Sequence, residues 1–409
     1  MRNRVAAMMV LAGLTFLGVQ ASAQMAPETV KALQAPIAVE RDEPLTSVPL
    51  KNHMNKLAID ATLNGVTREF LFDTGSPTMI AKPLAEELGL KIIGSNTGRD
   101  ANGRPFTTQI ALVDRLDIGG VSLRQVPVLI ADFSVSDPRG CFLRDGLIGS
   151  EIFPGSVWHI DPERKQLHIA ARARDLDPLK LPDPSVTAPL IDWGYPRAPV
   201  FPYAIGEFSD NGLFDTGHSE SVVLFDRLLN NNEVKGALVP GSLRKGRGSL
   251  GVSAAGEGAE TDLFRFEIEG LKIGDSSLGR QGGTIRNAPP SLVGLGIIDT
   301  YSVTLDYVAG QLRLHPRGKP QTRGAQVGFG LMAGADGVRL RQIYEGSGAE
   351  RAGLKLGDLV TAIDDREVPT SAVSCEVTRW IVEERPAATA QRITVLREGK
   401  RVEIDLAEG

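Results

Sequence analysis

Leu71-Phe72-Asp73-Thr74-Gly75 recurs as Leu213-Phe214-Asp215-Thr216-Gly217, and this repeated stretch decides how the chain folds. Two further pairs of segments match in the same order. They are the pattern L-x-I-G-x-x-S-L at residues 116–123 and 271–278, and the triplets Leu147-Ile148-Gly149 and Leu292-Val293-Gly294. The three pairs are offset by 142, 155 and 145 residues. Ordered matches at nearly constant offsets predict that residues 46–170 and 188–316 are two copies of one structural unit.

Each copy has the residue pattern of β-strands. Residues 57–63 and 67–72 flank Asn64-Gly65, a dipeptide typical of hairpin turns. Residues 301–314 alternate as a hairpin does, and residues 83–90 predict one short helix. We therefore expect two mostly β lobes with closed or barrel-like sheets.

The two repeated aspartates predict a catalytic pair. A single D-T-G is most often a plain turn, but here each Asp follows two apolar residues in a duplicated setting. If the copies pair about a twofold axis, Asp73 and Asp215 come so close that they share one proton. The ionised carboxylate then activates a water and the protonated one donates to a substrate carbonyl. Thr74 and Thr216 would hydrogen-bond across the axis. Two acidic turns in a duplicated β protein remain the alternative.

The doubled L-F-D-T-G with its following L-I-G and L-V-G resembles the retropepsin and pepsin superfamily of aspartic peptidases over about residues 45–316. The resemblance implies a mainly β, bilobal double barrel with a cleft between the lobes and a hairpin flap above it. It makes Asp73 and Asp215 the catalytic residues. Thr74, Gly75, Thr216 and Gly217 match the turn that supports this pair in the family, and the next residues, Ser76 and His218, are further candidates for its support.

The sequence departs from this family at the second D-T-G and at the flap. Ser76 fits the usual small residue and is expected to hydrogen-bond the outer oxygen of Asp73. His218 does not fit: if protonated it would lower the proton affinity of the pair, if neutral it could donate one hydrogen bond, and it could instead point to solvent. The expected flap, residues 98–110 turning at Asn102-Gly103, lacks a tyrosine, which favours fused retropepsin-like lobes. Residues 241–258 are either the second flap or a mobile loop.

A different pattern follows residue 316. Gly328-Phe329-Gly330-Leu331 precedes a run S-G-A-x-x-A-G-L-x-x-G-D, a predicted helix with a serine cap at residues 371–384 and a closing hairpin at residues 392–406. This stretch resembles a bacterial PDZ domain, an α/β fold. The resemblance implies that the amides of Phe329, Gly330 and Leu331 bind a peptide's terminal carboxylate while the following strand adds the peptide to its sheet edge. A small packing domain without a ligand is the alternative.

The N-terminus predicts export. Arg2 and Arg4 precede an apolar stretch that ends near residue 19, and Ala21-Ser22-Ala23 provides a cleavage pattern. We expect a periplasmic or secreted protein without an integral membrane span after cleavage; an uncleaved anchor is the alternative. The formal net charge of −5 argues against nucleic acid as a partner.

These patterns divide the chain into successive segments. They are a signal peptide (1–23), an N-terminal extension (24–45), a first lobe (46–174), a Pro-rich linker (175–189), a second lobe (190–316), a linker (317–325) and a PDZ domain (326–409). The scattered histidines predict no metal site, and no cofactor is expected. Cys141 and Cys375 are predicted to be separate buried thiols, although export permits a disulfide.

The predicted function is an exported aspartic endopeptidase that acts on polypeptides, with a PDZ domain that selects substrates or binds protein C-termini. One alternative is an inactive peptide-binding protein that keeps the peptidase fold. Another is a peptidase that works as a dimer of chains rather than through its own two lobes.

Overall fold

The computed structural model describes residues 25–317 apart from 135, 136, 138 and 139, and residues 328–406 apart from 335, 372 and 385. The predicted signal peptide lies outside the described residues, as does the predicted linker beyond residue 317. The chain is mainly β, as predicted. No helix in the described ranges is long and apolar enough to cross a membrane.

The first lobe is built on one sheet in which nine strands are described. The elements up to residue 170 are α1 (Pro27–Gln34), β1 (Ala38–Arg41), β2 (Leu45–Pro49), β3 (Lys51–His53), β4 (Lys56–Leu63), β5 (Val66–Phe72), β6 (Met79–Ala81), α2 (Lys82–Glu87), β7 (Ile92–Arg99), β8 (Pro105–Ile118), β9 (Val121–Ala131), β10 (Gly146–Ile148), a 3-10 helix (Ser150–Ile152), β11 (Val157–Asp161) and β12 (Gln166–Ala170). The predicted N-terminal extension is part of this lobe, because β1 pairs with β9.

The second lobe repeats this arrangement. Its elements are β13 (Val186–Pro189), β14 (Val200–Ile205), β15 (Phe208–Asp215), β16 (Val222–Phe225), a 3-10 helix (Asp226–Asn230), α3 (Asn232–Ala237), β17 (Arg244–Ser249), β18 (Val252–Ser253), β19 (Gly256–Glu257), β20 (Glu260–Ile268), β21 (Leu271–Ile273), β22 (Ser276–Ser277), β23 (Gln281–Arg286), β24 (Ser291–Gly294), a 3-10 helix (Leu295–Asp299), β25 (Tyr301–Asp306) and β26 (Gln311–Pro316). Equivalent strands pair in the same way in both lobes, as β5 with β10 and β15 with β24.

A six-stranded sheet joins the two lobes. Its order is β13-β26-β25-β11-β12-β2, so each lobe contributes three strands, and β11 pairs with β25 at the centre. Residues 175–189 were predicted as a linker, but a 3-10 helix covers Ala173–Leu179 and Val186–Pro189 form the edge strand β13. The prolines misled the prediction: Val186 and Ala188 face the core while Pro189, which lacks an amide donor, ends the strand.

The C-terminal module, residues 328–406, has a separate apolar core. Its elements are β27 (Phe329–Gly334), β28 (Gly337–Tyr344), α4 (Gly348–Arg351), β29 (Leu359–Ile363), β30 (Arg366–Glu367), α5 (Cys375–Arg379), a π-helical turn (Trp380–Glu384), a 3-10 helix (Pro386–Ala388), β31 (Arg392–Arg397) and β32 (Lys400–Asp405). The helix predicted from residue 371 begins at Cys375. Its cap is Ser374, whose hydroxyl accepts a hydrogen bond from the amide of Val377.

The C-terminal module is fastened to both lobes. Cys141 of the first lobe and Cys375 form a disulfide, so the prediction of two separate thiols was wrong. Sequence separation of 234 residues hid the pairing, because only the folded chain brings the two α-carbons to 5.2 Å. On the other side, β28 pairs with β17 of the second lobe, from Gly246 opposite Tyr344 to Gly248 opposite Gln342.

Candidate active site

The apolar strands β5 and β15 deliver one aspartate each to the interface of the lobes. β5 runs parallel to β10, and β15 runs parallel to β24, which places the L-I-G and L-V-G triplets beside the D-T-G strands. Each triplet requires its glycine because the backbone of a neighbouring loop lies very close to it. A Cβ on Gly149 would lie 2.2 Å from the carbonyl oxygen of Ser76, and a Cβ on Gly294 would lie 2.3 Å from that of Glu220. The repeated triplet therefore supports the loop that follows each aspartate.

Thr74 and Thr216 lock the two loops together. The amide of Thr74 donates to Oγ1 of Thr216 at 3.0 Å, and the amide of Thr216 donates to Oγ1 of Thr74 at 3.0 Å. Each hydroxyl in turn donates to a carbonyl of the opposite lobe, Thr74 to Phe214 at 2.7 Å and Thr216 to Phe72 at 2.6 Å. Both threonines are fully buried, so this four-bond arrangement fixes the distance between the lobes without competition from water.

The two carboxyl groups lie opposite each other, next to the four hydrogen bonds of Thr74 and Thr216. A Cβ on Gly75 would lie 2.5 Å from Cγ of Asp215, and a Cβ on Gly217 would lie 2.5 Å from Oδ2 of Asp73. Each carboxylate also accepts the amide of its own glycine, at 3.0 Å for Asp73 and 2.8 Å for Asp215. Any residue other than glycine at either position would displace the opposite carboxyl group.

Burial and the neighbouring charge of Asp215 raise the pKa of Asp73 to about 8. The two carboxyl groups are close enough to share a proton in a hydrogen bond. Between acidic and neutral pH the pair therefore holds one proton, which is the charge state that water activation and carbonyl protonation require together.

The predicted contact of Ser76 with Asp73 is absent from the described structure. The hydroxyl of Ser76 donates to the carbonyl oxygen of Pro77 at 3.0 Å. A hydroxyl carries one hydrogen, so the hydrogen that Ser76 donates to Pro77 is not available for the predicted bond to Asp73.

His218 lines the cleft rather than pointing to solvent. Its Nδ1 accepts the amide hydrogen of Glu220 at 3.3 Å. Burial lowers the pKa of His218 and the nearby Lys56 lowers it further, while Asp215 opposes both effects. The ring is therefore neutral with its hydrogen on Nε2, which leaves one donor for the cleft.

Lys56 was missed by the sequence reasoning. It begins β4 of the first lobe, and its ammonium group donates to the carbonyl oxygen of Gly217 at 2.7 Å and to the hydroxyl of Ser219 at 2.6 Å. Burial lowers the pKa of Lys56, and the carboxylates of Asp215 and Asp73 counteract this effect. A lysine at a strand start carries no motif, so only the folded chain shows that it joins the first lobe to the second D-T-G loop.

Two hairpins close the cleft from above. The β7–β8 hairpin turns at residues 100–104, as predicted for the flap, and β17 to β20 form the second hairpin. Their tips touch: Asp100 Oδ2 accepts the amide of Ala255 at 3.0 Å, and the side-chain amide of Asn102 donates to the carbonyl of Gly251 at 3.0 Å. Residues 241–258 were predicted to be either a second flap or a mobile loop, and in the structure they belong to the second hairpin above the cleft.

The cleft below these flaps has a volume of about 1460 Å³ and reaches from both aspartates to both hairpin tips. Leu129, Leu147, Phe106 and Phe142 give its first-lobe wall an apolar lining. Within the residues that the structure describes, no group of three or more His, Cys, Asp or Glu side chains could hold a metal ion.

The predicted PDZ loop lies at the start of β27. Gly328 has φ +73°, a conformation that favours glycine, and Phe329 is buried in the module's core. Among the described strands, β27 pairs only with β28, which leaves its outer edge open. Gly330 and Leu331 lie along that strand, and the turn at Trp380–Glu384 packs beside it.

Residues 59–152 match the family model described as aspartyl protease. No curated protein matches the chain. The match and the mainly β structure define the class: the first lobe carries a retropepsin-like aspartyl protease domain. The match supports, in general terms, a peptidase function.

Proposed function

We propose that this chain is an exported aspartic endopeptidase whose own two lobes supply the catalytic pair Asp73 and Asp215. The observation that carries the proposal is the reciprocal packing of each carboxyl group against the D-T-G glycine of the other lobe, at 2.5 Å from where a Cβ would be. A single chain with both carboxyls in place needs no second copy to complete its site, which disfavours the dimer hypothesis.

The chemistry follows from the asymmetric surroundings of the pair. Asp73 retains the shared proton, because burial and the charge of Asp215 raise its pKa to about 8, and of the two nearby cations Lys56 acts on both carboxyl groups while Arg286 acts on Asp215. Asp215 therefore acts as general base on a water held between the carboxyl groups, and Asp73 donates its proton to the carbonyl oxygen of the scissile bond. Attack gives a tetrahedral diol, and return of a proton to the amide nitrogen releases the two products.

The C-terminal module is proposed to bind peptides that end in a free carboxylate. Support comes from the open outer edge of β27 and from the positive φ of Gly328 at the start of that strand. A bound peptide would extend the sheet by main-chain hydrogen bonds. Export is proposed from the N-terminal sequence and agrees with a disulfide between Cys141 and Cys375.

Cleavage of a denatured protein tests the catalytic proposal. Asp73→Asn and Asp215→Asn are each expected to lower cleavage of reduced casein by at least about 1000-fold between pH 4 and 7, because one carboxyl cannot fill both roles. Asp275→Asn removes an exposed carboxylate and is the matched control. Wild-type activity in both active-site variants would refute the proposal, and a wild-type chain that binds casein without cleaving it would favour the inactive peptide-binding alternative.

A further inference from the structure

Arg286 is a cation in the cleft whose role the duplicated architecture does not explain. It is the last residue of β23 and lies opposite Phe225 of β16. It lines the same cleft as the two aspartates, and its guanidinium group acts on the charge of Asp215. Burial nevertheless disfavours its charge, so this side chain is costly to keep in the cleft unless a partner compensates it.

The equivalent position in the first lobe is occupied by alanine. Met79 pairs with both Leu129 and Leu147, and Val223 pairs with both Thr284 and Leu292. Thr284 is therefore the counterpart of Leu129, and two residues further along each strand Arg286 is the counterpart of Ala131, which is 1% exposed. The shared fold requires no arginine here, since an apolar methyl group meets the same structural need.

Other cations near the site already have partners. The ammonium group of Lys56 donates to Gly217 and Ser219, and the guanidinium carbon of Arg265 lies 4.5 Å from the ring centroid of Tyr344. In the part of the chain that the structure describes, Arg286 has no hydrogen bond from its side chain and no carboxylate oxygen within 4.0 Å. A guanidinium group in such a position binds a carboxylate through two parallel hydrogen bonds.

We propose that Arg286 forms a carboxylate-binding subsite on the second-lobe side of the cleft, so that the peptidase prefers substrates with a Glu or Asp side chain at one position near the scissile bond. The inference rests on the proposed peptidase function and deepens it. The first-lobe wall, where Leu129 and Leu147 line the cleft, accepts apolar side chains. The cleft therefore distinguishes the two directions in which a peptide could lie across its nearly twofold site.

Single-substitution peptides test this subsite. The probes are internally quenched peptides with an apolar residue on each side of the scissile bond and Glu, Gln or Lys at one of three positions on either side. Wild type is expected to cleave the Glu peptide about 10- to 100-fold more efficiently than the Gln peptide at a single position, as a charge-assisted pair gives. Arg286→Gln should abolish this ratio, Arg286→Lys should keep part of it, and Arg286→Glu should favour Lys.

The Glu-to-Gln ratio of kcat/KM is independent of how much enzyme is correctly folded, so a partly destabilised variant still gives an answer. Arg280→Gln, six residues away and exposed, is the control and should keep the wild-type ratio. C-terminally amidated and free peptides separate a side-chain carboxylate from a chain terminus, and a preference confined to free termini would overturn the inference.

Three results refute the inference in distinguishable ways. An unchanged ratio in Arg286→Gln, with cleavage intact, refutes the subsite and leaves the peptidase standing. A pH profile that shifts equally for Glu and Gln peptides in Arg286→Gln, with the Glu-to-Gln ratio unchanged, would make Arg286 a counter-charge of Asp215 alone and refute the subsite. Absence of cleavage for every peptide by the wild type refutes the proposed function and the subsite with it.

Discussion

Replacing Asp73 by asparagine should stabilise the fold at neutral pH while it abolishes catalysis. In the folded chain Asp73 retains its proton up to a pKa of about 8, whereas an aspartate in the unfolded chain loses it near 3.8. Between these values the folded state binds more protons than the unfolded state. The contribution of Asp73 to the free energy of unfolding therefore decreases as the pH rises through this window. This contribution is fully retained only below about pH 4.

The size of this effect follows from the two pKa values. Each pH unit inside the window costs the fold about 1.4 kcal/mol, which would give roughly 4 kcal/mol between pH 4 and pH 7. Asp73 retains some solvent contact through the cleft, so we expect about 2–4 kcal/mol. Asparagine fills the same space without a charge. The unfolding free energies of wild type and Asp73→Asn should thus nearly coincide at pH 4 and separate by about 2–4 kcal/mol at pH 7, with the variant more stable.

Urea unfolding at a series of pH values measures this difference. Tryptophan fluorescence follows the transition, since Trp158 is fully buried in the sheet that joins the lobes. Intact mass after each measurement excludes self-cleavage of the wild type. Asp275→Asn controls for the loss of one negative charge. Parallel curves for wild type and Asp73→Asn from pH 4 to pH 7 would refute the reasoning, because two carboxyls that share a proton cannot leave stability independent of pH.

Three further outcomes are expected. Gly217→Ala should lower kcat/KM by about 100-fold or more with the circular dichroism spectrum unchanged, because its Cβ would lie 2.5 Å from Oδ2 of Asp73; retained activity would contradict the packing. Cys141→Ser combined with Cys375→Ser should lower the free energy of unfolding by about 3–5 kcal/mol, and reductant should affect the wild type alone. Burial lowers the pKa of His159 to about 3, so its imidazole gains a proton in the unfolded chain but not in the folded chain as the pH falls from 7 to 5. The free energy of unfolding should decrease by about 2 kcal/mol over this range, and His159→Gln should remove that decrease in urea unfolding.

The pairing of the two lobes could be predicted because the residues that produce it occur in both halves of the sequence. Each D-T-G supplies the same threonine and glycine, and each apolar-apolar-Gly triplet lies beside the strand that carries the aspartate. The threonine bonds between Thr74 and Thr216 follow from this symmetry. The aspartyl protease domain of the first lobe was thus predictable from short motifs alone, and the family match confirms it.

Features that depend on a single lobe or on distant contacts could not be predicted. Lys56 and Arg286 reach the cleft because of strand register, which no local pattern reports. The prolines of residues 175–189 indicated a linker, yet the edge position of β13 tolerates Pro189. The family pattern assigned the hydroxyl of Ser76 to Asp73, but the adjacent carbonyl of Pro77 accepts it first. In each case tertiary context overrode the local pattern.

The C-terminal module also contributes to the cleft, through a strand pairing that its sequence does not predict. β28 pairs with β17, and β17 is one arm of the second flap. Glycines at the contact permit this approach, since a Cβ on Gly246 would lie 2.6 Å from the carbonyl oxygen of Ile343. Gln342 and Tyr344 of the module line the cleft itself. The module is therefore part of the wall of the cleft that holds the two aspartates.

The residues that differ between the two lobes determine how the symmetric pair behaves. The register of β4 with β5 and of β14 with β15 makes Ala198 the counterpart of Lys56, and Ala131 is the counterpart of Arg286. Lys56 acts on both carboxyl groups and Arg286 acts on Asp215, whereas the two equivalent positions of the repeat carry methyl groups. Duplicated residues set the distance between the carboxyls, and these unduplicated cations make the surroundings of the two carboxyls unequal. Burial and the charge of Asp215 raise the pKa of Asp73 and keep the proton there, which under the proposed mechanism makes Asp73 the general acid before a substrate arrives.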